Sequence, residues 1–192
     1  MGDNELDTKK LIHNRRLRAQ SIIGVATTAG VVMGAIPIPF SDAVLLNKAE
    51  NIEVNAIASI YGIQKDDKCR EFITTIIQIG TASTVIKTAA SSLKAIPGLN
   101  LGTSVINAII AGSIVAVIGE SSIFAFEQVA LGKKNIDDLE WLKKVTESKF
   151  ANNFFKSIYK SFGNMSNSVT KNEIVNAIKD AFFTSFKLQV EK

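Results

Sequence analysis

The chain has 192 residues, 46% of them hydrophobic but only 7% aromatic, and a formal net charge of +4. That length suits one domain, or a domain with an appendage, and the small positive charge permits an anionic surface as partner while falling short of the basic stripe that nucleic acid requires. A single cysteine, Cys69, excludes an internal disulfide and a cysteine-based zinc cage.

Apolar residues recur three and four apart almost throughout, and no stretch alternates with period two, so the expected fold is all-α. The pattern predicts a bundle of about six helices built on two apolar helical hairpins with proline corners, followed by an amphipathic C-terminal helix pair. Residues 1–132 form the small-residue-rich apolar core of this scheme. Residues 133–192, which hold most of the phenylalanines, pack on the same domain.

A first helix runs from about Asp7 to Ala35, polar in its early turns and uncharged from Ala19 onward. The mixed charges before Ala19 do not make a secretory leader, and they favour a cytoplasmic start. Arg15, Arg16 and Arg18 form a candidate basic anchor for a membrane surface, and the one histidine, His13, is expected in solvent. Pro37 and Pro39 end this helix, because proline lacks the N–H that a helix interior needs and restricts the residue before it.

Ser41 and Asp42 are placed to cap a second helix with Val44, Leu45, Ala49, Ile52, Ala56, Ile57 and Ile60 along its apolar face and Lys48, Glu50 and Glu53 turned elsewhere. Gly62 supplies its left-handed stop. A third helix starts at Asp66 and Asp67 and continues to about Lys94, with Cys69 in a first turn whose dipole can lower a thiol pKa, although nothing else suggests nucleophilic use and a free helix thiol is expected. Pro97 makes the second corner, and Asn100 is placed to cap a fourth helix that extends to Gly132.

Gly30, Gly34, Gly98, Gly102, Gly112 and Gly119 are costly in or beside helices, each by roughly 0.5 to 1 kcal/mol relative to alanine in a helix interior, and close packing of helix backbones is the expected compensation. Uncharged runs at 19–41 and 95–119 match the length of a bilayer-spanning helix, but Thr, Ser, Asn and Gly dilute them, and a buried core is favoured over insertion. Beyond Gly132, Asp137, Asp138 and Glu140 open an amphipathic helix with Leu139 and Leu142 on its apolar side. Thr170 and Glu173 form a capping box before a last helix lined by Ile174, Ile178, Phe182 and Phe186.

Motifs for chemistry are missing: the sequence has no HExxH, nucleophile elbow, phosphate loop or dinucleotide fingerprint, so no catalytic residue, metal or other cofactor is expected. The resemblance it does carry lies in Ala35-Ile36-Pro37-Ile38-Pro39-Phe40-Ser41-Asp42-Ala43, Ile60-Tyr61-Gly62-Ile63 and Ala95-Ile96-Pro97-Gly98. In order and spacing over about 19–132, these segments resemble the bacterial family catalogued as domain of unknown function 697. Members commonly carry glutamine where Glu50 stands and glycine where Asn100 stands.

The resemblance implies a helical module that accompanies an Era-like GTPase and occurs also in membrane-associated proteins. The expected function is therefore a non-catalytic module that associates a GTPase, in cis or in trans, with a membrane or protein partner. Its candidate contact is the corner formed by Ile36, Pro37, Ile38, Pro39, Phe40 and Asp42. The alternative is a membrane-inserting, pore-forming or toxin-like protein.

Overall fold

The structure is a computed structural model describing residues 2–35, 41–82, 102–146, 156–157, 160–161 and 170–190. Six helices and no strands occur among them: α1 (Gly2–Gly34), α2 (Ser41–Tyr61), α3 (Asp67–Ala82), α4 (Thr103–Ala130), α5 (Leu139–Thr146) and α6 (Lys171–Val190). At 33 residues α1 is about 50 Å long, and the side chains from Leu6 to Leu11 stand in water. The Pro37 corner and the Pro97 corner, with Ile36, Ile38, Phe40, Gly98 and Asn100, lie outside the described residues.

Helix ends follow local chemistry. Gly62 takes φ 74°, which lets its N–H donate to Ser59 O and the N–H of Ile63 donate to Ala58 O, closing α2. Gly132 (φ 65°) closes α4 in the same way, through Val129 O and Gln128 O. Asp66 caps α3, its Oδ1 accepting from the Cys69 N–H at 2.8 Å. At α6 the Thr170 N–H and hydroxyl both donate to Glu173 Oε2 at 2.7 Å. The Glu173 N–H returns a bond to Thr170 Oγ1 at 3.3 Å. The N-cap of α4 is Gly102, which offers no side chain to its orphan N–H groups.

The centre of the molecule is α4. Its most extensive packing is along α1, and α2 completes a three-helix core. Small residues set the α1–α4 approach. A Cβ on Gly34 would lie 2.5 Å from Asn107 O, and one on Gly30 would lie 3.0 Å from Val115 Cγ2. On the α4 side, a Cβ on Gly112 would meet Val31 Cγ2 at 2.5 Å. Gly102 has open space around it and so serves as a cap, not as a packing position.

Helices α3 and α5 pack on one end of α4 through an aromatic cluster. Phe72 stands 5.7 Å from Phe126 and 6.2 Å from Trp141, and Phe124 lies 6.4 Å from Trp141. Helix α6 buries Ile174, Val175, Ile178 and Ala181 against α4 and α1. The described parts of 133–192 therefore share one core with those of 1–132.

Candidate functional site

Four carboxylates lie inside the three-helix core. Glu50 and Glu53 on α2 are 0% and 1% exposed, and Glu120 and Glu127 on α4 are 4% and 7% exposed. Glu50, Glu53, Ile57 and Tyr61 follow one another at three- and four-residue steps, so all fall on the inner face of α2. Glu120 and Glu127 are seven apart and share the face of α4 that meets α1 and α2. This corrects the sequence-based face of α2: the acids point inward and Ile52, assigned to the core, is 72% exposed.

The bottom of the layer is an ion pair. Arg16 on α1 donates from Nε to Glu127 Oε1 and from Nη2 to Glu127 Oε2, both at 2.7 Å, the parallel two-point geometry that guanidinium and carboxylate share. Tyr61 donates its hydroxyl to the same Oε1 at 3.0 Å. Burial first, and then the Glu127 charge it faces, hold the Tyr61 phenol well above its ordinary range.

The other three carboxyls are differently placed. Both oxygens of Glu50, both of Glu53, and Oε1 of Glu120 are buried without a hydrogen-bond partner. Burial pushes the Glu50 carboxyl up to about 7. Glu53 is driven well above the usual range by burial, then by the charges of Glu50 and Glu120. Glu120 rises to about 8, burial outweighing the opposing pull of Arg16 and the amide of Gln20. Desolvation disfavours the charged form, so each of the three keeps its proton to higher pH than a free carboxyl does. Among the described residues no group of three acidic, histidine or cysteine side chains is arranged to hold a metal ion.

Two openings reach this layer. A cavity of about 490 Å³ between α1, α4 and α6 is lined by Leu17, Gln20, Ile23, Thr27, Glu120 and Ile178. A groove of about 450 Å³ between α1 and α2 has Ile22, Val25, Ala29, Ala49 and Ile52 on its walls, and reaches Glu53.

The remaining sequence-based candidates separate. Of the basic anchor only Arg18 is exposed; Arg15 is half-buried and Arg16 is committed to Glu127. His13 is exposed. Cys69 is buried, and burial followed by the Asp66 charge raises its thiol pKa, reversing the expected effect of the helix dipole. Asp42 sits in the first turn of α2. Gly119 faces Glu53 and Ile23, while Gly30, Gly34 and Gly112 lie at the α1–α4 contact.

Sequence reasoning missed the carboxylate layer altogether. The available signal was Glu120 and Glu127, two acids one heptad apart as the only charges in a 28-residue helix. That helix is also long and apolar enough to cross a membrane, and 83% of its apolar window is buried in the bundle. Comparison of the chain with protein-family models, with curated proteins and with solved structures finds no match.

Proposed function

We propose that this chain is a non-catalytic helical module that associates a GTPase, joined to it or separate, with an anionic membrane surface. The observation that carries the membrane contact is the α1–α2 groove. Val25 and Ile52 stand 74% and 72% exposed on its two walls, an apolar surface that folding leaves in water. Along α1 the same stripe continues at seven-residue steps through Leu11, Arg18, Val25 and Val32, all exposed. Lys9 and Lys10, directly before Leu11 in the chain, are exposed as well. Apolar groups in line with cations on one helix match a lipid surface that carries negative headgroups.

The GTPase enters this reading through the resemblance of 19–132 to the GTPase-accompanying family, and the absence of a phosphate loop supports a non-catalytic role. Flotation with phosphatidylcholine vesicles, with and without phosphatidylglycerol, tests the membrane contact. The chain is expected to float only with the anionic vesicles, and the double variant Val25→Ser/Ile52→Ser to stay at the bottom with unchanged helicity. Failure to float with either vesicle overturns the membrane contact and leaves a protein partner. GTP hydrolysis by the purified chain overturns the non-catalytic reading.

A further inference from the structure

The second opening has a different character from the docking groove. Its polar floor contains two orphan atoms: Oε1 of Glu120, on a residue 4% exposed, and Oγ1 of Thr27, on a residue 1% exposed. Both residues line the same cavity, whose other walls are the apolar side chains of Leu17, Ile23, Ala116 and Ile178. Buried polar atoms are almost always paired in folded proteins, so two unpaired oxygens on residues lining one cavity mark a place where a ligand supplies hydrogen-bond partners. Among the described residues one guanidinium, that of Arg16, faces this layer, and it is already held two-fold by Glu127, so Glu120 once ionised has no cation of its own.

We propose that the α1–α4–α6 cavity binds a primary alkylammonium ion, with the ammonium head on Glu120 and Thr27 and the alkyl chain along Leu17, Ile23, Ala116 and Ile178. An ammonium brings three N–H donors for the two oxygens and a positive charge that pairs with Glu120 once its proton has left. A carboxylate ligand brings no donor for these oxygens and is repelled by Glu120 in its ionised form. A metal ion finds no three-carboxylate grouping among the described residues. A cavity of about 490 Å³ has room for a short chain, in the size range of small-ligand pockets. Ser21 and Val25 border both this cavity and the α1–α2 groove, but the ammonium contacts Glu120 and Thr27, which line this cavity and not the groove, so binding measured without vesicles is tested separately from membrane docking.

Binding is linked to protons. The ammonium stabilises ionised Glu120, so its uptake displaces the proton that burial places there at neutral pH. The groups setting that equilibrium are Arg16 and Gln20 from α1, Glu53 with Glu50 behind it from α2, and Glu127 on the same helix. Helix α6 contributes Ile178 to the lining. On the acid side of the Glu120 transition, affinity falls about ten-fold per pH unit.

Calorimetric titration of the full chain with hexylammonium, and with hexanol and hexanoate as controls of equal length, tests the proposal. Hexylammonium alone is expected to bind, with proton release, more tightly at pH 8.5 than at pH 6.5. Glu120→Gln is expected to weaken it by about ten-fold or more, since the charge-assisted bond is lost. Thr27→Val, which keeps the side-chain shape, is expected to weaken it several-fold and serves as the variant if Glu120→Gln does not fold. Equal binding of hexanol, an affinity independent of pH, or no binding at any pH overturns the proposal.

Discussion

The Glu53 carboxylate occupies the space that a side chain on Gly119 would fill: Oε1 of Glu53 overlaps the position of a Cβ at residue 119, and Ile23 Cγ1 lies 2.6 Å from the same point. The glycine of α4 is thus the complement of an acid on α2, with α1 closing the third side. Gly119→Ala is expected to destabilise the fold by about 1 to 3 kcal/mol, the usual penalty for overpacking. Combining it with Glu53→Ala, which vacates the space, is expected to recover part of that loss. Urea unfolding of the two single variants and the double variant reads both effects, and strict additivity of the two contradicts the contact.

Arg16 and Glu127 are expected to be coupled more strongly than surface ion pairs. Their side chains are 19% and 9% exposed, and removing one partner leaves the other charge in the core. Arg16→Met and Glu127→Gln are each expected to cost about 3 kcal/mol, with the double variant losing much less than the sum. Tyr61→Phe removes one bond to the same carboxylate and is expected to cost about 1.5 kcal/mol. A double-mutant cycle by denaturant unfolding measures the coupling.

Stability is expected to fall as pH rises from about 4.5 toward 8. The three orphan carboxyls bind protons more tightly folded than unfolded, where their value is near 4.5. Each contribution is therefore complete below the unfolded value. It is lost as pH climbs through the folded one, about 7 for Glu50 and about 8 for Glu120. The slope reaches roughly 1.4 kcal/mol per pH unit for each proton by which the two states differ. Glu53→Gln and Glu120→Gln, neutral at all pH, are expected to flatten the melting temperature profile measured by circular dichroism. A profile that rises from pH 5 to 8 contradicts the protonated layer.

Cys69 is expected to resist thiol reagents in the folded chain. Its side chain is buried and burial raises its pKa, so neither access nor thiolate favours reaction. Labelling by a chromogenic disulfide at pH 8 should be slow in buffer and complete in denaturant; equal rates in the two conditions refute the burial.

Local chemistry was legible in the sequence because it acts over four or five residues. Gly62 at the end of α2, Asp66 before α3, and Thr170 with Glu173 before α6 each announce a backbone arrangement that their own side chains, or the lack of one, produce. The inner face of α2 was not legible. Periodicity sorts residues by polarity, and by that rule Ile52 goes inside and Glu53 outside. The rule fails here because the neighbours of α2 are themselves unusual: Gly119 leaves a hollow, and Glu120, Glu127 and Arg16 surround it with polar groups from two other helices. That environment is assembled from positions far from α2 in the chain, Arg16 well before it and Gly119 to Glu127 more than sixty residues after Glu53. The exposed Gly102 shows the opposite error, a glycine taken for close packing that instead begins a helix.

The unbroken run of α1 has a mechanical consequence. Its early turns, exposed from Leu6 to Lys10, and the segment that carries Arg16 belong to one rod without an interposed loop. A helix turns about 100° per residue and resists twisting, so a load on the early turns arrives at Arg16 as rotation or axial pull. Ile12, packed against the core, and then Arg16, with its two short bonds to Glu127, are contacts such a load strains early. The chain is thereby geared: a partner gripping the early turns of α1 has a lever on the guanidinium that pairs with Glu127.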